Sequence, residues 1–318
     1  VRIVEAEEVE RALEFPVLID ALDDGFRADF GMPPRQVFQL GGQGSHDGFA
    51  LLPAWNHKII GVKAFTYFPD NAAAGYASLY SKILLFARSH GQPLALVDGT
   101  SVTYWRTAAV SALASRYLSR ADASSMLLLG TGRLAPYLVA AHLAVRSLQR
   151  VMLWGRDADK VAALQARLQA SHPSVEFVCV LDLAQEAGSA DVIVSATGAA
   201  TPLLLGDWLA PGCHVDLLGN HSPDRRECDS ALVTRSEVYV DSRDNVLREA
   251  GELLIPIAEG VFRSEAIRGE LKDLCRGAAP GRTSDSQITL FKSVGTALGD
   301  LIAAELVLSH VSGGAVYT

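Results

Sequence analysis

The 318-residue sequence is short of several features that would assign it a class directly. No apolar run reaches the roughly 18 residues that a membrane-crossing helix needs, so no membrane role is expected. Positive charge is in deficit. The 28 Lys and Arg stand against 36 Asp and Glu, a net charge of −8, which speaks against nucleic acid or an anionic membrane as main partner. The four cysteines, Cys179, Cys213, Cys228 and Cys275, are scattered and form no Cys-x-x-Cys pair. That pattern suits a reducing cytoplasm and offers no zinc site. The histidines show no metal-ligand spacing either, so no metal is expected. The opening "VRIVEAEEVERAL" is acidic and amphipathic, unlike a signal peptide. There is no internal repeat and no low-complexity segment.

What is present is an ordinary globular composition, 49% hydrophobic and 20% charged, in a chain long enough for two cores. Residues 1–30 read as a short strand and then a helix with Leu18, Leu22 and Phe26 on one face. "RQVFQL", "GFALLPAW" and "KIIGVKAFTYF" read as strands, with the glycine-rich turn "GGQGSHDG" after the first. Residues 72–80 read as loop. "SKILLFAR" and "PLALVDG" are two more strands joined by a turn at His90–Pro93, and "YWRTAAVSALASRYL" is a helix. From about residue 120 the texture changes. "SSMLLLG", "RVMLWG", "EFVCVLD", "DVIVSATG" and "HVDLLG" are short apolar runs separated by helical or loop segments, which marks a parallel sheet covered on both faces. The expectation is an α/β protein with a doubly wound Rossmann domain over 120–288. A discontinuous α+β domain would be built from 1–119 and 289–318. The final stretch, "TLFKSVGTALGDLIAAELVLSH", reads as helical, with Leu298, Leu301, Ile302 and Leu306 on one face.

A dinucleotide loop fits the second domain. "LLLGTGRLAPYLVAAH" contains Gly130-Thr131-Gly132-Arg133-Leu134-Ala135, the pattern G-x-G-x-x-A, after an apolar strand and before a helix. Gly130 suits the tight turn, Gly132 the approach of backbone N–H groups to a pyrophosphate, and Ala135 the close packing of helix on strand. The alternative is a glycine-rich turn in some other α/β fold. The next strand ends Trp154-Gly155-Arg156-Asp157. Gly155 stands where an NAD site carries an acid for the ribose hydroxyls, and a guanidinium beside the ribose suits a 2′-phosphate. NADP(H) is therefore preferred and NAD(H) possible. Against this, Arg156 can be a solvated turn residue while Asp157 does the acid's work one place late.

Three cations stand out in the first domain: Arg35 after two prolines, Lys63 inside the apolar strand "IIGVKAFTYF", and Arg106 near the start of an apolar helix. Each alone can be a side chain whose head reaches solvent. A Lys flanked by Val62, Ala64 and Phe65 is harder to dismiss, since a buried charge needs an anion. Together the three can clamp a small carboxylate.

With these stretches in view, "LLPAW…GVKAFTYFPDN", "TYWRTAAVSALAS", "LGTGRLA", "VDLLG…PDRRE" and "FKSVGTALGDLIAAEL" together resemble the ornithine cyclodeaminase/mu-crystallin family over nearly the whole chain. The resemblance implies a homodimer. Each subunit would pair a Rossmann domain with a discontinuous substrate-binding and dimerisation domain, and move a hydride between nicotinamide and the α-carbon of an amino or imino acid. It carries Arg35, Lys63 and Arg106 over to a substrate-carboxylate clamp, with Arg106 also near the cofactor and Val294 beside the reacting ring on the substrate side. The implied cofactor contacts are Ser78, the turn at Gly130, Gly132, Arg133 and Leu134, the ribose site at Gly155, Arg156 and Asp157, then Thr197, Leu218, Gly219, Asn220, His221, Arg225 and Ser293.

In the cyclodeaminase branch an Asp acting as acid/base stands at the position of His221. Here that pattern is broken, and the phrasing "VDLLG" and "FKSVGTALGDL" is most similar to the Δ1-pyrroline-2-carboxylate reductase branch. His221 is then either a proton relay, as an imidazole can be near neutral pH, or a loop neighbour of the nicotinamide with no proton role. Glu227 and Asp229 read as braces of the loop. The expected activity is NAD(P)H-dependent reduction of a cyclic imino acid, Δ1-pyrroline-2-carboxylate or Δ1-piperideine-2-carboxylate, with Lys63 and His221 as catalytic residues. The alternatives are an ornithine cyclodeaminase that recycles NAD, or a weakly active NADPH-binding protein of the mu-crystallin type.

Overall fold

The computed structural model describes residues 1–42 and 47–314. The centre of the expected glycine-rich turn, 43–46, lies outside the described residues. The chain divides into two compact units, Val1–Thr107 with Thr296–Thr318, and Ala108–Gly295. The breaks thus fall at 107 and 295, not at the expected 119 and 288.

The first unit begins with β1 (Arg2–Val4), α1 (Ala6–Ala12) and α2 (Phe15–Arg27). Phe15, Leu18, Ile19, Leu22 and Phe26 form the buried stripe of α2, the face that three- and four-residue spacing dictates. Then come β2 (Gln36–Gln39), β3 (Gly48–Trp55), β4 (Ile59–Tyr67), a 3-10 turn (Pro69–Ala74), β5 (Leu79–Ala87) and β6 (Pro93–Asp98). They form a six-stranded sheet in the order β1-β6-β5-β4-β3-β2, with β1 parallel to β6 and the other neighbours antiparallel. β3 alternates buried and part-exposed residues, as a half-covered antiparallel strand does. Helix α3 (Gly99–Leu118) follows and crosses the break at 107.

The second unit continues with β7 (Ser125–Leu129), α4 (Ala135–Leu143), β8 (Arg150–Trp154), α5 (Ala158–Ser171), β9 (Glu176–Cys179), α6 (Leu183–Ser189), β10 (Val192–Ser195) and β11 (His214–Leu217). Next are α7 (Ser230–Arg235), β12 (Glu237–Val240), α8 (Arg243–Glu249), α9 (Gly251–Ala258), β13 (Gly269–Glu270), α10 (Leu271–Cys275) and β14 (Thr289–Lys292). All eight strands are parallel, in the order β13-β12-β14-β11-β10-β7-β8-β9. The order reverses between β7 and β10, the switch point where a doubly wound sheet opens a crevice at its carboxyl ends. The fold class is the α/β Rossmann arrangement expected.

One element is corrected. Residues 289–292 are not the start of the last helix. They are β14, a fully buried strand between β11 and β12. The β-branched and aromatic run Thr289-Leu290-Phe291 favours a strand, and Gly295, at φ +87°, turns the chain out of it. Only then does α11 (Ala297–Val311) begin, capped by the Thr296 side chain.

Helix α11 belongs to the first unit and packs on α1, α2, β3, β4 and β5. Two glycines let it come close. A Cβ on Gly61 of β4 would meet Leu301 at 2.5 Å, and one on Gly25 of α2 would meet Ile302 at 2.2 Å. This close seat brings Asp300, on the first turn of α11, against the sheet.

Candidate active site

In the first unit, Lys63 is one of the inward residues of β4 and is only 4% exposed. Its Nζ donates to Thr103 Oγ1 (2.7 Å) and to Asp300 Oδ1 (3.1 Å). The Thr103 hydroxyl itself donates to Gly99 O, so it meets the ammonium as an acceptor. Arg106, one turn further along α3, donates from Nε to the same Asp300 Oδ1 at 2.8 Å. Arg106 is 7% exposed and Asp300 1%. The terminal nitrogens of Arg106 make no hydrogen bond among the described residues. Burial pushes the Lys63 ammonium down to about 8; Asp300 opposes the fall, and the charges of Arg106 and Arg35 add to it. Burial would raise the Asp300 carboxyl, but Arg106 and Lys63 outweigh it and hold it below its ordinary value. Thus the three cations expected at a carboxylate clamp act on one another. Asp300, which the sequence reading missed, is the buried acid between two of them. Its signal was an Asp in the apolar helix "TALGDLIAAEL". Ser78 is exposed at the end of the loop before β5, with its carbonyl bonded to Phe68 N.

In the second unit, Gly130 leaves β7 at φ +114°, where a Cβ would lie 2.6 Å from Ala196 O. Only glycine takes that turn without strain. The N–H groups of Thr131, Gly132, Arg133 and Leu134 have no partner among the described residues. They precede α4, and nothing lies within 4 Å of a Cβ built on Gly132. Free donors at a helix N-terminus beside open space fit a pyrophosphate. At the ribose position, a Cβ on Gly155 would meet Thr131 Cγ2 at 2.8 Å and Val161 Cγ2 at 3.0 Å. An Asp or Glu could not stand there without displacing both. Arg156 is exposed and engages no group among the described residues. Asp157 is occupied: it caps α5 by accepting from Lys160 N at 3.2 Å.

The ends of β10 and β11 are fastened by Glu227. Its Oε1 accepts from Ser195 Oγ (2.6 Å), Thr197 N (2.7 Å) and Thr197 Oγ1 (2.8 Å), and its Oε2 accepts from Gly219 N (2.7 Å). Burial pushes the Glu227 carboxyl up, against Lys292 and these donors. A Cβ on Gly219 would lie 2.0 Å from Thr197 O, so this crossing also demands glycine. Asn220 donates from Nδ2 to Ala199 O (2.6 Å), and its carbonyl accepts from Lys292 Nζ (2.8 Å). Lys292 and Glu252 are a fully buried ion pair at 3.0 Å, and Glu252 Oε1 accepts from Glu227 N. Asp229 caps α7 and accepts from Gly206 N. Both acids read as braces in the sequence therefore brace the loop. Leu218 is buried, while His221 and Arg225 are exposed in the segment that follows.

Ser293 Oγ donates to Asp241 Oδ2 (2.8 Å), which also accepts from Val294 N (3.0 Å) and Gly295 N (2.7 Å). Asp241, Glu252 and Lys292 are further site-bracing residues that the sequence reading passed over. Lys292 carries the same signal as Lys63, a cation inside an apolar strand. No cluster of metal ligands exists among the described residues.

Known proteins are similar to this chain in sequence and fold. A profile of the ornithine cyclodeaminase/mu-crystallin family matches residues 2–315. A Δ1-pyrroline-2-carboxylate reductase of Colwellia psychrerythraea is 53% identical over 314 residues, 98% of this chain and 99% of that protein. A Thermococcus litoralis Δ1-pyrroline-2-carboxylate reductase, solved with NADH and L-proline, superposes with a TM-score of 0.93 at 28% identity, covering 100% of this chain and 99% of its own. An iminosuccinate reductase of Paracoccus denitrificans, solved with NAD+, gives 0.87 at 26% identity, covering 98% and 97%.

Proposed function

Because the chain belongs to the ornithine cyclodeaminase/mu-crystallin family, we propose that it is a ketimine reductase, an NAD(P)-dependent oxidoreductase acting on C=N. Its substrate in this reading is a cyclic imino acid, Δ1-pyrroline-2-carboxylate or Δ1-piperideine-2-carboxylate, and its product the cyclic amino acid. The observation that carries the reading is the pair of buried cations that shares one carboxylate in the first unit. Lys63 and Arg106 both bond Asp300 Oδ1, and the terminal nitrogens of Arg106 keep no hydrogen-bond partner among the described residues. A carboxylate-bearing substrate supplies the missing negative charge.

The bound nicotinamide supplies the hydride. The chain's own residues hold and orient. Arg106 offers its terminal nitrogens and Lys63 its remaining N–H to the substrate carboxylate, which fixes the imine carbon in place. The ring nitrogen must carry a proton for that carbon to accept hydride. Lys63, pushed down to about 8, holds the anion as a cation and exchanges protons close to neutral pH. We assign His221, exposed after β11, to relay protons to solvent. The free N–H groups of 131–134 take the pyrophosphate, with Arg133 at its flank. Thr197, Leu218 to Asn220, Arg225, Ser293 and Val294 are assigned to the nicotinamide end, and Ser78 to the cofactor.

NADP(H) is the preferred cofactor in this reading. Gly155 leaves no room for an acid, Asp157 is committed to its helix, and Arg156 is free to meet a 2′-phosphate. The relatives solved with NADH and NAD+ make NAD(H) the competing outcome. We further propose a homodimer. Edge strand β2 is exposed along its whole length and carries Val37 and Phe38, which a second copy would cover. None of the four cysteines is in a disulfide, and the cytoplasm is the proposed location.

The test is to follow NADPH and NADH absorbance with Δ1-pyrroline-2-carboxylate. Rapid oxidation with a preference for NADPH is expected. Lys63→Met should abolish it while dinucleotide binding survives. No oxidation with either cofactor would overturn the reading, and ammonia release from ornithine would replace it with the cyclodeaminase. Light scattering should give twice the 33.9 kDa chain mass.

A further inference from the structure

Two cations sharing one carboxylate oxygen is an odd construction for a site that must bind a second carboxylate. Asp300 competes with the substrate for the same donors, yet three elements of the first unit, β4, α3 and α11, converge to build it. The competition is selective. Asp300 takes Arg106 by Nε and leaves both terminal nitrogens without a partner among the described residues. It takes one N–H of Lys63, Thr103 takes another, and the third is left over. What Asp300 leaves over is a planar fork and a single N–H, a set suited to one carboxylate.

We propose that Asp300 is the positioning residue of the anion site, turning Arg106 and Lys63 so that their unused donors converge on one substrate carboxylate. This rests on the imino-acid reading for the identity of that carboxylate. Asp300 also keeps Lys63 charged. The groups facing Lys63 are Asp300 from α11, Arg106 and Thr103 from α3, Arg35 from the segment before β2, the Phe65 ring at 5.8 Å on its own strand, and its apolar register partners Leu52 on β3 and Ile83 on β5. Of these, Asp300 alone is an acid. Without it the burial that already brings Lys63 to about 8 acts unopposed. The ammonium then loses its proton about one to three pH units lower.

The experiment is the pH profile of kcat/KM for Δ1-pyrroline-2-carboxylate in the wild type, Asp300→Asn and Asp300→Glu. The wild-type alkaline limb is expected near pH 8, and Asp300→Asn should move it down by about one pH unit or more with the KM for the dinucleotide unchanged. Asp300→Glu restores the charge one methylene out of place, so its limb should stay while the KM for the imino acid rises about tenfold. A purely structural role would lower activity evenly across pH, and an unmoved limb in Asp300→Asn overturns the proposal. Should that variant fail to fold, an unchanged imino-acid KM in Asp300→Glu overturns it instead. Should the wild type reduce no imino acid, the functional reading falls separately, and calorimetry with pyrrole-2-carboxylate as probe decides on Asp300. Binding that weakens above about pH 8 in the wild type, and at lower pH in Asp300→Asn, supports the proposal. Identical pH dependence, or no binding to the wild type, overturns it.

Discussion

Replacing Glu227 by Gln changes one atom of a side chain that holds two strand ends together, and its effect can be worked out bond by bond. Oε1 has three donors on it and Oε2 one, the Gly219 N–H at 2.7 Å. The amide therefore settles with its NH2 where Oε2 was, against Gly219 N–H. Two donors then face each other, and the buried Gly219 N–H loses its acceptor at a cost of about 1–3 kcal/mol. The three bonds on Oε1 fall from charged to neutral strength, about 1 kcal/mol each. Set against this, the variant no longer buries a carboxylate, which removes part of the penalty that pushes the Glu227 carboxyl up. The balance is a loss of about 3 kcal/mol at pH 7, or ~6–12 °C in Tm for a unit of this size. Calorimetry on wild type and Glu227→Gln at pH 7 reads it directly. Because the carboxyl is raised in the folded chain, the wild type gains stability as the pH drops and the carboxylate takes up its proton, so the gap should widen. A variant within about 0.5 kcal/mol of wild type at pH 7 would refute the reasoning. It would mean that Glu227 is already neutral, and that the serine and threonine hydroxyls, not the charge, carry the brace.

Three further outcomes follow from the same geometry. Burial raises the Asp216 carboxyl from 3.8 to about 7, with Ser111 as its partner on α3. The folded chain then holds a proton that the unfolded chain releases, so wild-type stability falls as pH rises between about 4 and 7, by at most roughly 4 kcal/mol. Asp216→Asn should flatten that slope in urea titrations at successive pH values, and an identical slope would show that Asp216 does not titrate there. Arg156→Ala should raise the KM for NADPH about tenfold and leave that for NADH in place, and equal changes for both would remove Arg156 from the ribose phosphate. Gly130→Ala puts a Cβ 2.6 Å from Ala196 O at φ +114°. It should cost about 1–3 kcal/mol and weaken dinucleotide binding in fluorescence titrations, which tight binding would contradict.

The fold was legible where strands are buried on both faces, because such strands read as unbroken apolar runs. β7, β8, β10 and β11 stand out for that reason. β12 and β13 escaped notice because one is four residues long with Glu237 at its head and the other has only two residues. β14 was mistaken for helix since it is only four residues long and just four residues, Ser293 to Thr296, separate it from α11. A short apolar stretch does not reveal its period. In the site, Lys63 and Arg106 were visible as charges in apolar company. Their partner was not, since an acid on the first turn of a helix is ordinary in a sequence. Glu252 and Asp241 were invisible for a related cause: what makes them special is the distant residue they meet, Lys292 for one and Ser293 for the other.

Helix α11 has a consequence in time as well as in space. A ribosome delivers it only after every residue of Ala108–Gly295. The middle unit is one continuous piece of chain and can close as soon as it has emerged. The flanking unit must wait, with the notch at Gly25 and Gly61 open and the apolar face of α2 uncovered, until Thr296 onward arrives to fill them. This chain therefore matures from the inside out, against the usual N-terminal-first order. A nascent or truncated chain ending before residue 296 would carry a dinucleotide turn and the cations Lys63 and Arg106, but not Asp300, the acid that both of them bond. The dinucleotide turn would thus be in place before the buried ion cluster of the other unit, which is complete only once α11 has been made.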